Sequence, residues 1–220
     1  RPIRVIVPQP PGGGFDLVAR VIAEPLARVM GNPVVVENRP GAGMLLGTEA
    51  AAKAEADGYT LLLGAKPNIA FNAGLYDKLP YDPRADFIPV GIASFNPYTL
   101  VARNDLPFAS LNEIFAYARA NPGKLTYASG GNGTGQHITA AVTFHLAGVQ
   151  VTHVPYKGAA PAYQDLLPGR VDLFFDNSAT AQPHIDARRV KPIAVSSAER
   201  LAALPGVPTV RESGLDFDNE

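Results

Sequence analysis

The chain predicts an α/β fold of two lobes, and two observations carry that prediction. Strand-like and helix-like segments alternate almost throughout, which reads as α/β with mostly parallel strands. An apolar strand also runs twice into a glycine-rich turn that opens a helix. The first copy is Val5-Ile6-Val7-Pro8-Gln9-Pro10-Pro11-Gly12-Gly13-Gly14-Phe15-Asp16. The second is Leu125-Thr126-Tyr127-Ala128-Ser129 followed by Gly130-Gly131-Asn132-Gly133-Thr134-Gly135. Without a Cβ, glycine lets backbone N–H groups approach a ligand closely. The first N–H groups of a helix lack an internal partner, and the helix dipole places partial positive charge there. Such a turn is a ready site for a small anion. Two of them in one chain point to two lobes closing on one ligand.

The elements follow in order. Residues 4–7 form a strand. Residues 16–30 form a helix with Val18, Val21, Ile22 and Val29 on one face, kinked at Pro25. Gly31-Asn32-Pro33 ends it, and residues 34–37 form the next strand. Gly41 and Gly43 lead into an alanine-rich helix over 44–56, and Asp57-Gly58 turns into a strand at 59–63. Residues 66–90, rich in Pro, Asn and Asp, read as short helices and turns. A strand follows at Tyr98–Arg103. Ser110 then caps a helix that runs to Asn121, with Glu113 completing a capping box. Beyond the second glycine turn come a helix at 136–146, a strand at 151–154, a helix at 160–167 and a strand at 171–175. A helix at 178–187, interrupted by Pro183, and a strand at 190–196 complete the series. Junctions near 96–104 and 196–200 place lobe I at 1–97 plus 199–220 and lobe II at 98–198. The abrupt start at Arg1-Pro2-Ile3-Arg4 reads as a mature or trimmed product, and the stop after Glu212-Ser213-Gly214 predicts lost C-terminal residues.

Composition narrows the function. Of 220 residues, 46% are hydrophobic and 18% charged, enough to bury a real core. Nineteen Lys+Arg against twenty Asp+Glu leave a net charge of −1. That balance argues against nucleic acid, which calls for a basic face. It also supplies no long-range pull on an anion, so anion binding must come from local dipoles and hydrogen bonds. The lack of cysteine excludes disulfides, thiolate catalysis and Cys-based zinc sites, and is compatible with an oxidising compartment.

Each candidate residue has a plainer structural role. The dinucleotide fingerprint fails at both turns, since Leu17 and Gln136 stand where its last glycine belongs. Asp16 either caps the first helix or binds a ligand amino group, with capping the safer assignment for a residue type favoured at N-caps. Phe15 lines a pocket or anchors the turn. Ser129 and Thr134 offer hydroxyls, and Thr134 also suits a helix cap. His137, His145, His153 and His184 lack metal spacing. Ser129, His137 and Asp176 can be written as a triad, but no nucleophile elbow supports it. Tyr156 and Lys157 follow a strand and suit either a ligand or the surface. Asp176 holds a loop or a ligand ammonium, because a bare carboxylate beside an anionic ligand is unfavourable.

With these segments placed, the chain resembles the Bug family, the extracytoplasmic receptors of tripartite tricarboxylate transport systems. The resemblance rests on Ile6-Val7-Pro8 leading to Pro11-Gly12-Gly13 and Asp16, and on Val34-Val35-Val36-Glu37-Asn38-Arg39-Pro40-Gly41-Ala42-Gly43. Asp57-Gly58-Tyr59-Thr60-Leu61, His153-Val154-Pro155-Tyr156-Lys157-Gly158, Gly169-Arg170-Val171-Asp172, Pro208-Thr209-Val210 and Glu212-Ser213-Gly214 extend it along the chain. It implies a type II periplasmic-binding-protein fold: two α/β lobes, two crossover strands and a ligand cleft, without catalysis, cofactor or metal. The implied ligand is a small carboxylate: a di- or tricarboxylate, an amino acid or an aromatic acid. The implied contacts are Pro11, Gly12, Gly13, Gly14, Phe15 and Asp16; Ala65 and Asn68; Ser129, Gly130, Asn132, Gly133 and Thr134; and Tyr156 and Asp176. Gly14-Phe15 varies among relatives, which makes Phe15 a candidate for selectivity. The implied setting is a periplasmic monomer that serves membrane transporter subunits and touches no nucleic acid. An enzyme on a similar scaffold and the effector-sensing domain of a regulator are the competing readings.

Overall fold

The computed structural model describes residues 1–219 and divides them into two compact units. The first comprises Arg1–Ser94 and Gly131–Gly135; the second comprises Phe95–Gly130 and residues 136–219.

The first unit is built on a three-stranded parallel sheet. Its strands are β1 (Ile3–Val7), β2 (Val34–Asn38) and β3 (Thr60–Leu62), in the order β2-β1-β3. Helix α1 (Gly14–Met30) joins β1 to β2, and α2 (Leu45–Ala52) leads toward β3. Pro25 lies inside α1, which continues as one helix to a left-handed glycine cap at Gly31. The helix expected over 44–56 is shorter at both ends: a 3₁₀ turn takes Met44, and the chain turns out of the helix at Lys53. A π-helical turn at Pro67–Phe71 runs into α3 (Asn72–Leu75). The core here is small: Val5, Val7, Phe15, Ala19 and Met44 are buried together, with Ala65 and Leu63 partly buried against them.

The second unit carries five strands: β4 (Tyr98–Arg103), β5 (Thr126–Ser129), β6 (Thr152–Pro155), β7 (Leu173–Asn177) and β8 (Val190–Val195). Their order is β6-β5-β7-β4-β8. The expectation of mostly parallel strands needs correction here, since β4 runs antiparallel to both β7 and β8. Alternation on β4 explains the layers. Tyr98, Leu100 and Ala102 face a cluster with α4 (Leu111–Ala120) and α5 (Gly135–Leu146), which supply Ile114, Phe115, Ala140 and Phe144. Val101, Ala128 and Phe174 face the other side, packing with Ala162, Tyr163 and Leu166 of α6 (Ala159–Leu166) and Ala181 of α7 (Ser178–Asp186). Cover on both faces explains the apolar stretches of β4 and β7, residues 100–102 and 173–175. Each large buried side chain contributes about 1.5–3 kcal/mol.

Residues 199–219, which the sequence reading assigns to the first lobe, group with the second unit. Val210 N–H donates to Val195 O at 2.9 Å, and Asn219 Nδ2 donates to Thr139 Oγ1 at 2.7 Å.

Candidate functional site

The first glycine turn leads directly into α1. Gly13 is the N-cap residue, in an extended conformation, and no side chain caps the helix start. The expected capping role of Asp16 is therefore corrected. Asp16 sits within the first turn and its Oδ2 accepts from the Gly12 N–H at 3.0 Å and from Arg20 Nε at 2.9 Å. Burial alone would raise this carboxyl; the Arg20 guanidinium and the Gly12 amide outweigh it and hold the group below the usual carboxylate range. Gly12 has φ +81°, a left-handed conformation that glycine adopts without strain. Its amide is spent on Asp16, so the donors this turn presents belong to the start of α1 itself. Pro11 and Gly12 are exposed, whereas Gly14, Phe15 and Asp16 are buried.

Ala65 and Asn68 are wired into the same unit. Asn68 is fully buried; its Oδ1 accepts from Ala65 N–H at 2.9 Å and its Nδ2 donates to Thr48 Oγ1 at 2.9 Å. The Thr48 hydroxyl in turn donates to Met44 O at 2.8 Å. Tyr81 Oη donates to Asn68 O at 2.6 Å.

Met44, which the sequence places in the helix after Gly41 and Gly43, belongs instead to a run of left-handed backbone. Ala42, Gly43 and Met44 have φ of 47°, 62° and 74° in succession. A non-glycine residue held in this region costs of order 1–3 kcal/mol. A Cβ on Gly43 would lie 2.6 Å from Asn132 O, so only glycine permits that approach. Asn72 Nδ2 donates to Gly43 O at 3.3 Å.

At the second glycine turn the bonds run inward. Gly130 N–H donates to Gln136 Oε1 at 2.7 Å, and Gln136 Nε2 donates to Asp176 Oδ1 at 2.7 Å. Asp176 is fully buried and also accepts from Asn177 N–H and Thr180 Oγ1. Burial pushes its carboxyl above the usual range, against the pull of these donors. Thr134, first in line to cap α5, donates its hydroxyl to Gly131 O at 2.8 Å. Asn132 is exposed and Gly133 buried. Tyr156 Oη donates to Asp165 Oδ2 at 2.9 Å, and burial followed by that carboxylate raises its pKa to about 12.

Ser129 Oγ lies 2.6 Å from Nε2 of His153, a residue to which the sequence assigned no role. His153 stacks on His137 at 4.2 Å and on Tyr127 at 4.8 Å. Burial, then the neighbouring His137, push His153 down to about 4. The parallel alignment of β5 and β6, with Tyr127 opposite His153, was the missing signal.

The two α/β units give the chain the fold of the periplasmic binding proteins. It belongs to the tripartite tricarboxylate transporter receptor family, whose model matches residues 18–219. Protein BugT of Bordetella pertussis is 39% identical over 215 residues, 97% of this chain and 66% of the relative. A Rhodopseudomonas palustris protein solved with adipate (Rpa4515) superposes with a TM-score of 0.94 at 35% identity, over all of this chain and 74% of the other. MatC of Rhodopseudomonas palustris, solved with bound malate, gives 0.92 at 35% identity, over 99% of this chain and 74% of the other. The chain spans 63–66% of the length of three curated relatives that it matches.

Proposed function

We propose that the chain is a periplasmic solute receptor for a small organic carboxylate, which it delivers to subunits of a membrane transporter. The observation that carries this reading is the start of α1. A 17-residue helix begins at a glycine N-cap with no side chain bonded to it, beside a turn of three consecutive glycines. Its amides and dipole suit a carboxylate group. Structures similar at 35% identity hold adipate and malate, which are small carboxylic acids.

The energetics need no arginine clamp. A hydrogen bond to a charged group contributes about 1.5–3 kcal/mol. A micromolar complex needs about 8 kcal/mol, within reach of a few aimed amides even after association costs. The receptor role, without catalysis, is supported by the wiring of the one writable triad: Ser129 meets His153, while Asp176 is committed to Gln136, Asn177 and Thr180. Tyr156 and Asp176 act in this reading as supports for the loops that carry the donors.

Thermal-shift screening of the full chain against aliphatic di- and tricarboxylates, amino acids and aromatic acids, followed by calorimetry on the hits, tests the proposal. At least one acid should bind with micromolar affinity, and Lys157→Ala should weaken it by less than about tenfold (roughly 1.4 kcal/mol). Failure of every acid to bind would overturn the reading.

A further inference from the structure

The left-handed turn at Ala42–Met44 joins three of the candidate segments within the first unit. Met44 is 2% exposed and is buried in one cluster with Val5, Val7, Ala19 and Phe15, the last of which follows the first glycine turn directly in sequence. Its carbonyl accepts from Thr48, whose hydroxyl oxygen accepts from Asn68, which holds the Ala65 amide. One residue earlier, Gly43 approaches Asn132 O so closely that no Cβ fits. Glycine at position 44 would adopt φ 74° freely, yet a methionine stands there under strain. Backbone strain persists where the surroundings over-determine it, and such places cluster at functional sites. The unbranched thioether is the side chain best able to fill an irregular gap under that constraint.

We propose that Met44 is a positioning residue for ligand selection: its buried side chain sets the placement of Phe15 beside the first glycine turn, and thereby the chain length of the acid the receptor takes. The inference rests on the receptor reading above. A shorter side chain at position 44 lets Phe15 settle inward and admits a longer acid.

The test uses the full chain and a homologous series of probes: succinate, glutarate, adipate, pimelate and suberate, each measured by calorimetry. Met44→Ala and Met44→Gly both remove the side chain, but only glycine relieves the backbone, while Met44→Leu keeps most of the volume. Both truncations should move the preferred diacid at least one methylene longer, with about a tenfold change in the affinity ratio of neighbouring members, roughly what one methylene is worth in a pocket. Met44→Leu should keep the wild-type ranking. Met44→Gly should melt roughly 2–4 °C above Met44→Ala, which reads the strain independently of any ligand. Uniform weakening with an unchanged ranking would mark Met44 as merely structural and overturn this inference alone. A wild-type chain that binds small acids of other kinds but no member of the series also overturns this inference alone. A wild-type chain that binds no acid at all overturns the receptor reading, and this inference with it.

Discussion

The two glycine turns look alike in sequence and are built differently. At the first, Gly13 stands at the N-cap of a long helix with no side chain capping it, and the Gly12 amide donates to Asp16, which is tied to the half-exposed Arg20. At the second, the Gly130 amide is anchored through Gln136 to a carboxylate with no exposed surface at all. Each turn spends a glycine amide on its own rigidity: the first gives Gly12 to Asp16 beside a half-exposed arginine, the second gives Gly130 to a buried network. A strand–glycine–helix passage in a sequence therefore marks where donors can gather, and only the surrounding side chains decide how many remain for a ligand.

That contrast can be broken by substitution, most severely at Asp176. Asp176→Ala would leave the Gln136 amide and the Asn177 N–H without their acceptor in a buried place, while the Thr180 hydroxyl keeps Asn177 O. Denaturant unfolding should show a loss of about 2–4 kcal/mol. A loss under about 1 kcal/mol would mean the second turn is no more firmly anchored than the first.

A smaller effect belongs to Gly12. Its φ of +81° has open space around the Cβ position, so Gly12→Ala pays only for the left-handed backbone, about 1–2 kcal/mol. Gly13 has φ −88°, and a Cβ there would meet its nearest neighbour at 3.4 Å. Gly13→Ala should stay within about 0.5 kcal/mol of wild type. Equal costs at the two positions would contradict the backbone account of this turn.

The smallest effect is a pH dependence beside the second turn. The folded chain lowers His153 to about 4, so its neutral form is favoured and the associated stability is present above the unfolded value near 6.5. That stability should be lost as pH falls from about 6.5 through about 4. Melting curves should fall more steeply across this window for wild type than for His153→Phe. Parallel curves would remove His153 from the support of Ser129.

Local signals made much of the fold legible. Ser110 and Glu113 make both bonds of the capping box read from their spacing, and β4 occupies Tyr98–Arg103 as its apolar run implied. What stayed hidden depends on pairing across the chain. The antiparallel placement of β4 follows from its neighbours β7 and β8, which no local pattern specifies. Asp16 carries the residue type of a cap, but the helix starts two residues earlier than the sequence suggests, which turns the carboxylate back onto Gly12. Met44 gives no sign of a left-handed backbone, since residue type argues against it. Of the candidate site, turn chemistry singles out the glycines, and Asn68 enters through the family resemblance alone. The Ser129–His153 contact could not, because it needs the register of β5 against β6.

Backbone amide resonances followed during titration with an acid that passes the calorimetric screen test the central claim most directly. The account predicts that the N–H signals of Gly13, Gly14 and Phe15 move downfield as they take up the carboxylate, with smaller changes at Lys157 and the other lysines. Signals at the start of α1 that stay in place while the lysine regions respond would contradict it.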